Sequence, residues 1–140
     1  ADCELDTACV GDSCANPLAL AGTGTYTVDL GPLTDRYTAG GHRIAELITS
    51  EYGVGLILDN HVNRPAYVRQ CLEKALTRTG LDNPSGWGTA EERRLIDAYL
   101  AIRVNHGSSP MTDAEKRARV TKKHLDRGVI SDERGSFELA

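Results

Sequence analysis

Residues 65–80 read Pro-Ala-Tyr-Val-Arg-Gln-Cys-Leu-Glu-Lys-Ala-Leu-Thr-Arg-Thr-Gly, and this stretch decides the fold class. Its apolar side chains recur at the three- and four-residue spacing of one helix face: Val68, Cys71, Leu72, Ala75 and Leu76. Pro65 suits the first turn of a helix, and Gly80 suits a left-handed cap after its last turn. The pattern predicts an amphipathic helix that buries one face.

Two more helices are predicted on the carboxyl-terminal side. Thr89 and Glu92 have the spacing of a capping box, in which each side chain satisfies a free backbone N–H of the other's residue. The helix that starts there is interrupted by the Gly, Ser and Pro residues of 106–110. Thr112 and Glu115 repeat the box and open a strongly charged helix that ends near Gly128.

On the amino-terminal side the same spacing predicts a short helix that ends at Gly53 as a left-handed cap. Its apolar residues are Ile44, Leu47, Ile48 and Tyr52. Residues 54–62 are apolar on more than one side, so they form either a buried helix, which we favour, or a strand. Pro65 disfavours helical geometry in the residue before it, so the chain should bend at 63–65.

The first 36 residues differ from the rest, being rich in Gly, Ala, Asp and Thr, and they predict a loop-dominated leader with one short strand at 25–30. Three of the four cysteines fall here, at Cys3, Cys9 and Cys14. Their spacing lacks the Cys-x2-Cys knuckle of a zinc site, which favours disulfides. Three pairings are open, and Cys71 would need a partner from the leader in a fully paired scheme.

Composition limits the function. With 140 residues, 40% hydrophobic and 26% charged, the chain has the size of a single domain, which we divide into the leader 1–36 and a helical part 37–140. We predict a mainly α fold, a bundle of about five helices with one or two short strands. A net charge of -4 argues against nucleic acid as a partner, and no apolar stretch is long enough for a membrane span. Disulfides and an Ala start favour a secreted, processed product.

The densest polar cluster lies at the predicted bend, immediately after the apolar run, and contains Asp59, His61, Asn63 and Arg64. A carboxylate, an imidazole, an amide and a guanidinium so close together could hold a ligand, because helix ends also offer unpaired backbone groups. The alternative is structural: Asp59 pairs with Arg64, and Asn63 caps the next helix.

Glu51 is the candidate proton donor, since a carboxyl group beside an apolar core keeps its proton more readily than one in water. Asp59 would be the second carboxylate of a glycoside-cleaving pair, across a bend from Glu51. Trp87, on a turn flanked by glycines, is the candidate aromatic contact to the ligand. No metal or other cofactor is predicted, because the histidines are scattered and no nucleotide-binding or serine-hydrolase motif occurs.

Two stretches resemble a known family. Residues 58–65, Leu-Asp-Asn-His-Val-Asn-Arg-Pro, resemble the aspartate–histidine–valine segment of the chitosanase-like branch of the lysozyme superfamily. Residues 97–103, followed by a helix with Arg117 and Thr121 and then by Gly128, resemble the later helices of that group. The resemblance covers roughly residues 54–135. It implies a lysozyme-like α-rich fold acting on amino-sugar polymers outside the cell.

The chain departs from that group upstream. The group has its catalytic acid near the end of its first long helix, where this chain has the cysteine-rich leader, so Glu51 is a substitute chosen by its position at a helix end. The leading hypothesis is a secreted hydrolase of peptidoglycan or chitosan, with Glu51 and Asp59 catalytic and with His61, Asn63, Arg64 and Trp87 binding the sugar.

The alternatives are a non-catalytic secreted module that binds a partner or the cell wall, and an exported toxin domain. Another chain of the same precursor is a further possible partner. The basic residues between 115 and 123 form either an ordinary solvated helix face or a contact for an anionic polymer.

Overall fold

The computed structural model of the chain describes residues 7–10, 13–19 and 37–137. These ranges form a mainly helical fold with a few short strands, as the sequence predicted. The strands are β1 (Thr7–Val10), β2 (Ser13–Ala19), β3 (Thr38–Ala39) and β4 (His42–Arg43). The helices are α1 (Ile44–Leu47), α2 (Glu51–Asn63), α3 (Pro65–Thr79), α4 (Thr89–Val104) and α5 (Thr112–Asp126).

The described part of the leader is a hairpin, so the prediction of loops was wrong for these residues. β1 and β2 pair antiparallel, with an irregularity between Cys9 and Val10, and Pro17 lies inside β2. Proline has no backbone N–H to donate to a neighbouring strand, so within sheets it occurs in edge strands and at bulges. The strand predicted at 25–30 lies outside the described residues.

The first helical turn and α2 are two helices, which corrects the prediction of one helix ending at Gly53. The chain is extended at the α1 cap, Ile48, and α2 begins after Ser50, whose side chain accepts the Gly53 N–H at 3.0 Å. Serine is a preferred N-cap because its oxygen satisfies a free donor of the first turn. Glu51 therefore opens a helix instead of ending one, and Gly53 lies inside it.

The two predicted capping boxes are also wrong in detail. The N-cap of α4 is Gly88, whose N–H donates to the Glu91 carboxylate at 2.8 Å, while Glu92 is fully buried. α5 does begin at Thr112, but its N-cap is Met111, and no side chain caps it.

α3 is the helix that the sequence predicted best. It begins at Pro65, directly after the bend at Arg64, and ends at Gly80, whose φ is 65°. Its buried face packs mainly against α4 and also against α2, while α5 lies against α2 and α4. These faces form the core with the short elements before them: Tyr37, Ala39, Ile44, Leu47, Ile48, Tyr52, Val54, Leu56, Ile57, Val68, Cys71, Leu72, Ala75, Leu95, Ile96 and Tyr99.

Cys71 is a free thiol within this core and has no exposed surface. The fully paired scheme, which needed a bridge from Cys71 to the leader, is therefore wrong. A thiol on the inner face of α3 faces hydrophobic neighbours, so it serves as a small core side chain. Pairing among Cys3, Cys9 and Cys14 lies outside the described side chains.

The segment after α5 is attached to α4 and to the turn before α2. Arg134 donates to the Glu92 carboxylate at 2.6 Å and to the carbonyls of Glu46 and Leu47. Glu92 also accepts the backbone N–H groups of Thr49 and Ser50. One buried carboxylate thus joins three separate parts of the chain. None of the helices described here is long and apolar enough to cross a membrane.

Candidate functional site

Asp59 lies on α2, near its carboxyl-terminal end, and is the centre of the polar cluster. Its Oδ1 accepts from Arg117 Nε of α5 at 2.8 Å, and the side chain keeps 26% of its surface exposed. Asn63, one turn later, donates to the Asp59 carbonyl at 2.7 Å. The structural alternative of an Asp59–Arg64 pair with Asn63 as a cap is therefore wrong, because Arg117 takes the carboxylate and Asn63 turns back into its own helix.

An apolar cavity of about 330 Å³ opens between α2, α4 and α5 beside Asp59. Its walls include Leu56 from α2, Leu100 from α4 and Ala118 from α5. Its charged lining residues are Asp59, Arg93, Asp97, Arg103, Glu115, Arg119 and Lys122. The exposed surface of the wall is mainly apolar although these seven charged residues contribute to it, and a mainly apolar wall with placed polar groups is the usual form of a small-molecule site.

A polar cavity of about 540 Å³ adjoins it, between the start of α3, the end of α4 and the loop before α5. Asn63 and Arg64 line it, as do Arg117 and the loop residues 107–111. The two cavities share Arg103 and Ala114 in their walls. The Asp59–Arg117 pair thus lies at their junction, with Asp59 lining the apolar cavity and Arg117 lining the polar one.

The other predicted site residues lie elsewhere. Glu51 begins α2, where its Oε2 accepts the Ser131 N–H at 2.6 Å, and it lines neither cavity. His61 Nδ1 is 2.6 Å from the Tyr37 hydroxyl, and the two rings meet edge to face. Trp87 donates to the Asp82 carbonyl at 3.0 Å, and the Arg134 guanidinium lies 5.5 Å from its ring centre.

Glu51 and Asp59 are on one helix and not across a bend, which corrects the predicted arrangement. Eight residues of α-helix separate their Cα atoms by about 12 Å along the axis. Their side chains also have different surroundings, because Asp59 lines the apolar cavity, whereas Glu51 accepts the Ser131 N–H. The structure brings Asp59, Asn63 and Arg64 together around the two cavities and leaves Glu51, His61 and Trp87 outside them.

The predicted site residues did not include Asp97, Arg103 or Arg117, all of which line these cavities. Arg103 lies in the last turn of α4, is 2% exposed, and lines both cavities. A signal was present, because Ile96, Tyr99 and Arg103 fall on one helix face, and an arginine at the end of an apolar face needs a reason to be there.

Burial also changes the acidity of groups around the site. The Tyr99 hydroxyl accepts from Asn60 at 2.7 Å deep in the helix interface, and burial raises the pKa of Tyr99 far above its usual value. Burial likewise raises the pKa of the Cys71 thiol. The pKa of His106, which lines a separate cavity with Gln70 and Lys74 of α3, is lowered by partial burial and by the charges of Lys74 and Arg103.

No group of three or more His, Cys, Asp or Glu side chains within the described residues is arranged to hold a metal ion. Comparison of the chain with known family models, curated proteins and solved structures found no match. Function must therefore be inferred from the site itself.

Proposed function

We propose that this chain is a secreted glycan-active protein that takes a segment of an amino-sugar polymer into the two adjoining cavities. The observation that supports this best is the position of Asp59 at the junction of the two cavities. An apolar chamber and a polar chamber side by side suit a polymer of sugar rings, which have both apolar faces and many hydroxyl and amide groups. The carboxylate would then lie beside the bond that joins two rings.

In this proposal Asp59 acts on the glycosidic bond as the carboxylate that activates water. Arg117 and Asn63 orient the carboxylate, since both donate to its Oδ1, at 2.8 and 3.3 Å, and the side chain keeps 26% of its surface exposed. The proton-donor candidate is Asp97, which lines the same cavity as Asp59. Glu51, the donor that the sequence suggested, lines neither cavity, so its variant serves as a comparison.

The experiment measures reducing ends released from purified peptidoglycan and from chitosan by wild type, Asp59→Asn, Glu51→Gln and Asp97→Asn. Glu73→Gln, an exposed change on α3, is the matched control. We expect Asp59→Asn to lose roughly a hundredfold or more of the activity, as for loss of an acid–base group, while the control keeps it. Full activity in a folded Asp59→Asn protein would rule out this mechanism. Asp97→Asn should also lose activity, whereas Glu51→Gln should keep it, since Glu51 lines neither cavity.

A second candidate is binding without cleavage, favoured by the ion pair that already engages Asp59. The carboxylate is held by Arg117 at 2.8 Å, as a structural pair would be. A module of this kind would sediment with insoluble glycan and release no reducing ends. In that case Asp59→Asn would sediment less with the glycan than wild type does. Neither wild type nor Glu51→Gln nor Asp97→Asn would release reducing ends.

A further inference from the structure

Within the part of the chain that the structure describes, Arg103 is a buried cation without a counterion. There its Nε and NH2 have no hydrogen-bond partner, and its NH1 contacts the thioether sulfur of Met111. A thioether is a weak acceptor, and the ring of Tyr67, 5.6 Å from the guanidinium carbon, offers only a cation–π contact. A guanidinium that has left water normally has a carboxylate or several oxygen acceptors.

The neighbouring carboxylates do not supply that partner. Asp59 is paired with Arg117, Asp113 with Lys116, and Glu115 with Arg119. Among residues 37–137 no carboxylate forms an ion pair with Arg103, although it lines both cavities. The described chain thus leaves one buried guanidinium unmatched in the wall of an open cavity.

The rest of the polar cavity also favours an anion. Arg64 and Arg117 line it as well, so it has three arginines against the single carboxylate of Asp113, whose side chain is 82% exposed. The amino terminus of the 15-residue helix α5 faces the same cavity, and no side chain caps it. Free N–H groups and the positive end of a helix dipole attract anions.

We propose that the polar cavity is a carboxylate-binding subsite in which Arg103 is the main donor, reached when the flexible Met111 side chain moves aside. This rests on the proposed function and narrows its substrate. Among amino-sugar polymers, peptidoglycan has carboxylates on its stem peptides. It also has them on the lactyl groups of muramic acid residues to which no stem peptide is attached. Chitosan, by contrast, is cationic. The preferred substrate would therefore be peptidoglycan.

The test is a binding titration followed by nuclear magnetic resonance, with three small probes. N-acetylmuramic acid and N-acetylglucosamine differ by one lactyl ether with its carboxylate, and N-acetyl-D-alanine represents the end of a stem peptide. We expect at least one carboxylate probe to bind roughly tenfold or more tighter than N-acetylglucosamine, as charge-assisted hydrogen bonds provide. The tighter of the two identifies the source of the carboxylate. Equal binding of all three would overturn the subsite.

The variants separate Arg103 from general charge effects. Arg103→Met should remove the preference for the carboxylate probes and leave the free energy of unfolding equal or higher, because it deletes an unmatched buried charge. Arg64→Gln should weaken the preference for the carboxylate probes. Arg64 is exposed, so this change should leave the fold intact. Arg127→Gln, beyond the far end of α5, is the charge-matched control and should bind like wild type. Met111→Ala should bind the carboxylate tighter, since it uncovers the guanidinium.

The polymer experiment distinguishes failure of the subsite from failure of the proposed function. The protein is sedimented with peptidoglycan, with peptidoglycan whose carboxylates have been amidated, and with chitosan. Binding to native peptidoglycan that is lost on amidation supports both proposals. Equal binding to native and amidated material overturns the subsite and leaves the glycan function in place. Arg103-dependent binding of N-acetyl-D-alanine without binding to any polymer keeps the subsite and overturns the glycan function.

Discussion

Glu92 and Arg134 form a buried ion pair, with Oε2 and NH1 2.6 Å apart and no exposed surface on the Glu92 side chain. Both oxygens of the carboxylate also accept from the turn before α2, because Thr49 and Ser50 donate their backbone N–H groups to Oε1 and the Thr49 hydroxyl donates to Oε2. The pair therefore holds the end of the described chain against two earlier segments. We call this Glu92–Arg134 ion pair the clamp. The stability of the protein should depend on the clamp and on the packing around it.

Breaking the clamp should cost much more stability than breaking an exposed pair. Arg134→Met leaves the Glu92 carboxylate buried without its cation, so the free energy of unfolding should fall by about 3–5 kcal/mol. Arg69→Met, which breaks the exposed Arg69–Glu73 pair on α3, should cost about 0.5 kcal/mol or less. Urea unfolding followed by circular dichroism measures both. Equal losses would show that the buried pair does not hold the segments together.

Two glycines in α2 should respond oppositely to alanine. A Cβ on Gly53 would lie 2.6 Å from Ile48 and 2.9 Å from Ile96, so Gly53→Ala should destabilise by about 1–3 kcal/mol. A Cβ on Gly55 would be 3.8 Å from Thr121, an ordinary contact, so Gly55→Ala should stabilise by about 0.5–1 kcal/mol. The same unfolding measurement checks the pair, and a gain from Gly53→Ala would contradict the close packing of α2.

The alkaline stability of the protein should depend on Tyr99. Burial raises the pKa of its hydroxyl in the folded state, while the unfolded value stays at about 10. The unfolded chain then loses this proton first, so the contribution of Tyr99 is full below pH 10 and is lost as the pH rises above it. Unfolding measured across this range should show a steeper fall for wild type than for Tyr99→Phe. Identical slopes would mean that Tyr99 ionises freely in the folded protein.

His106 should titrate below its usual value. Partial burial is the main cause, and the charges of Lys74 and Arg103 lower its pKa further. Lys74 Nζ lies 3.3 Å from Nδ1, where it can donate only to the neutral ring. The stability that the neutral ring contributes is therefore present above about pH 6.5 and is lost as the pH falls. Lys74→Met should raise the pKa in a proton resonance titration, and an unchanged pKa would exclude the lysine as a cause.

Cys71 should be unreactive in the folded protein. It has no exposed surface, and burial raises the pKa of its thiol, so little thiolate is available to a reagent such as 5,5′-dithiobis(2-nitrobenzoate). One thiol should become reactive only at the rate of unfolding, and it should be absent in Cys71→Ala. Rapid labelling of Cys71 without denaturant would contradict the packing of the inner face of α3.

The sequence predicted the parts of the fold that depend on local pattern. α3 has a clean apolar face between Pro65 and Gly80, and its bounds follow from those residues. The break between α1 and α2 could not be read in the same way, because Ile48 is buried in the extended segment just as it would be in a helix. The cap at Ser50 competes with that periodicity, and tertiary packing decides between them.

The candidate site was predictable in part for a similar reason. Asp59, Asn63 and Arg64 are close in sequence at a helix end, so their proximity in space follows from local structure. Arg103 and Arg117 come from helices later in the chain, and only the packing of α4 and α5 brings them to the same place. Glu92 and Arg103, near the two ends of α4, both lie on its buried face, where polarity alone would have placed them in water.

The clamp at Arg134 also sets an order of events during synthesis. Its partners lie 42 to 88 residues earlier in the chain, at Glu92, Pro84, Leu47 and Glu46. The ribosome synthesises all of them before residue 134, so the Glu92 carboxylate cannot form its ion pair with Arg134 while α5 is being translated. A nascent chain stalled before that residue should hold its helices loosely and be cut readily by a protease, becoming resistant only once the arginine has left the exit tunnel.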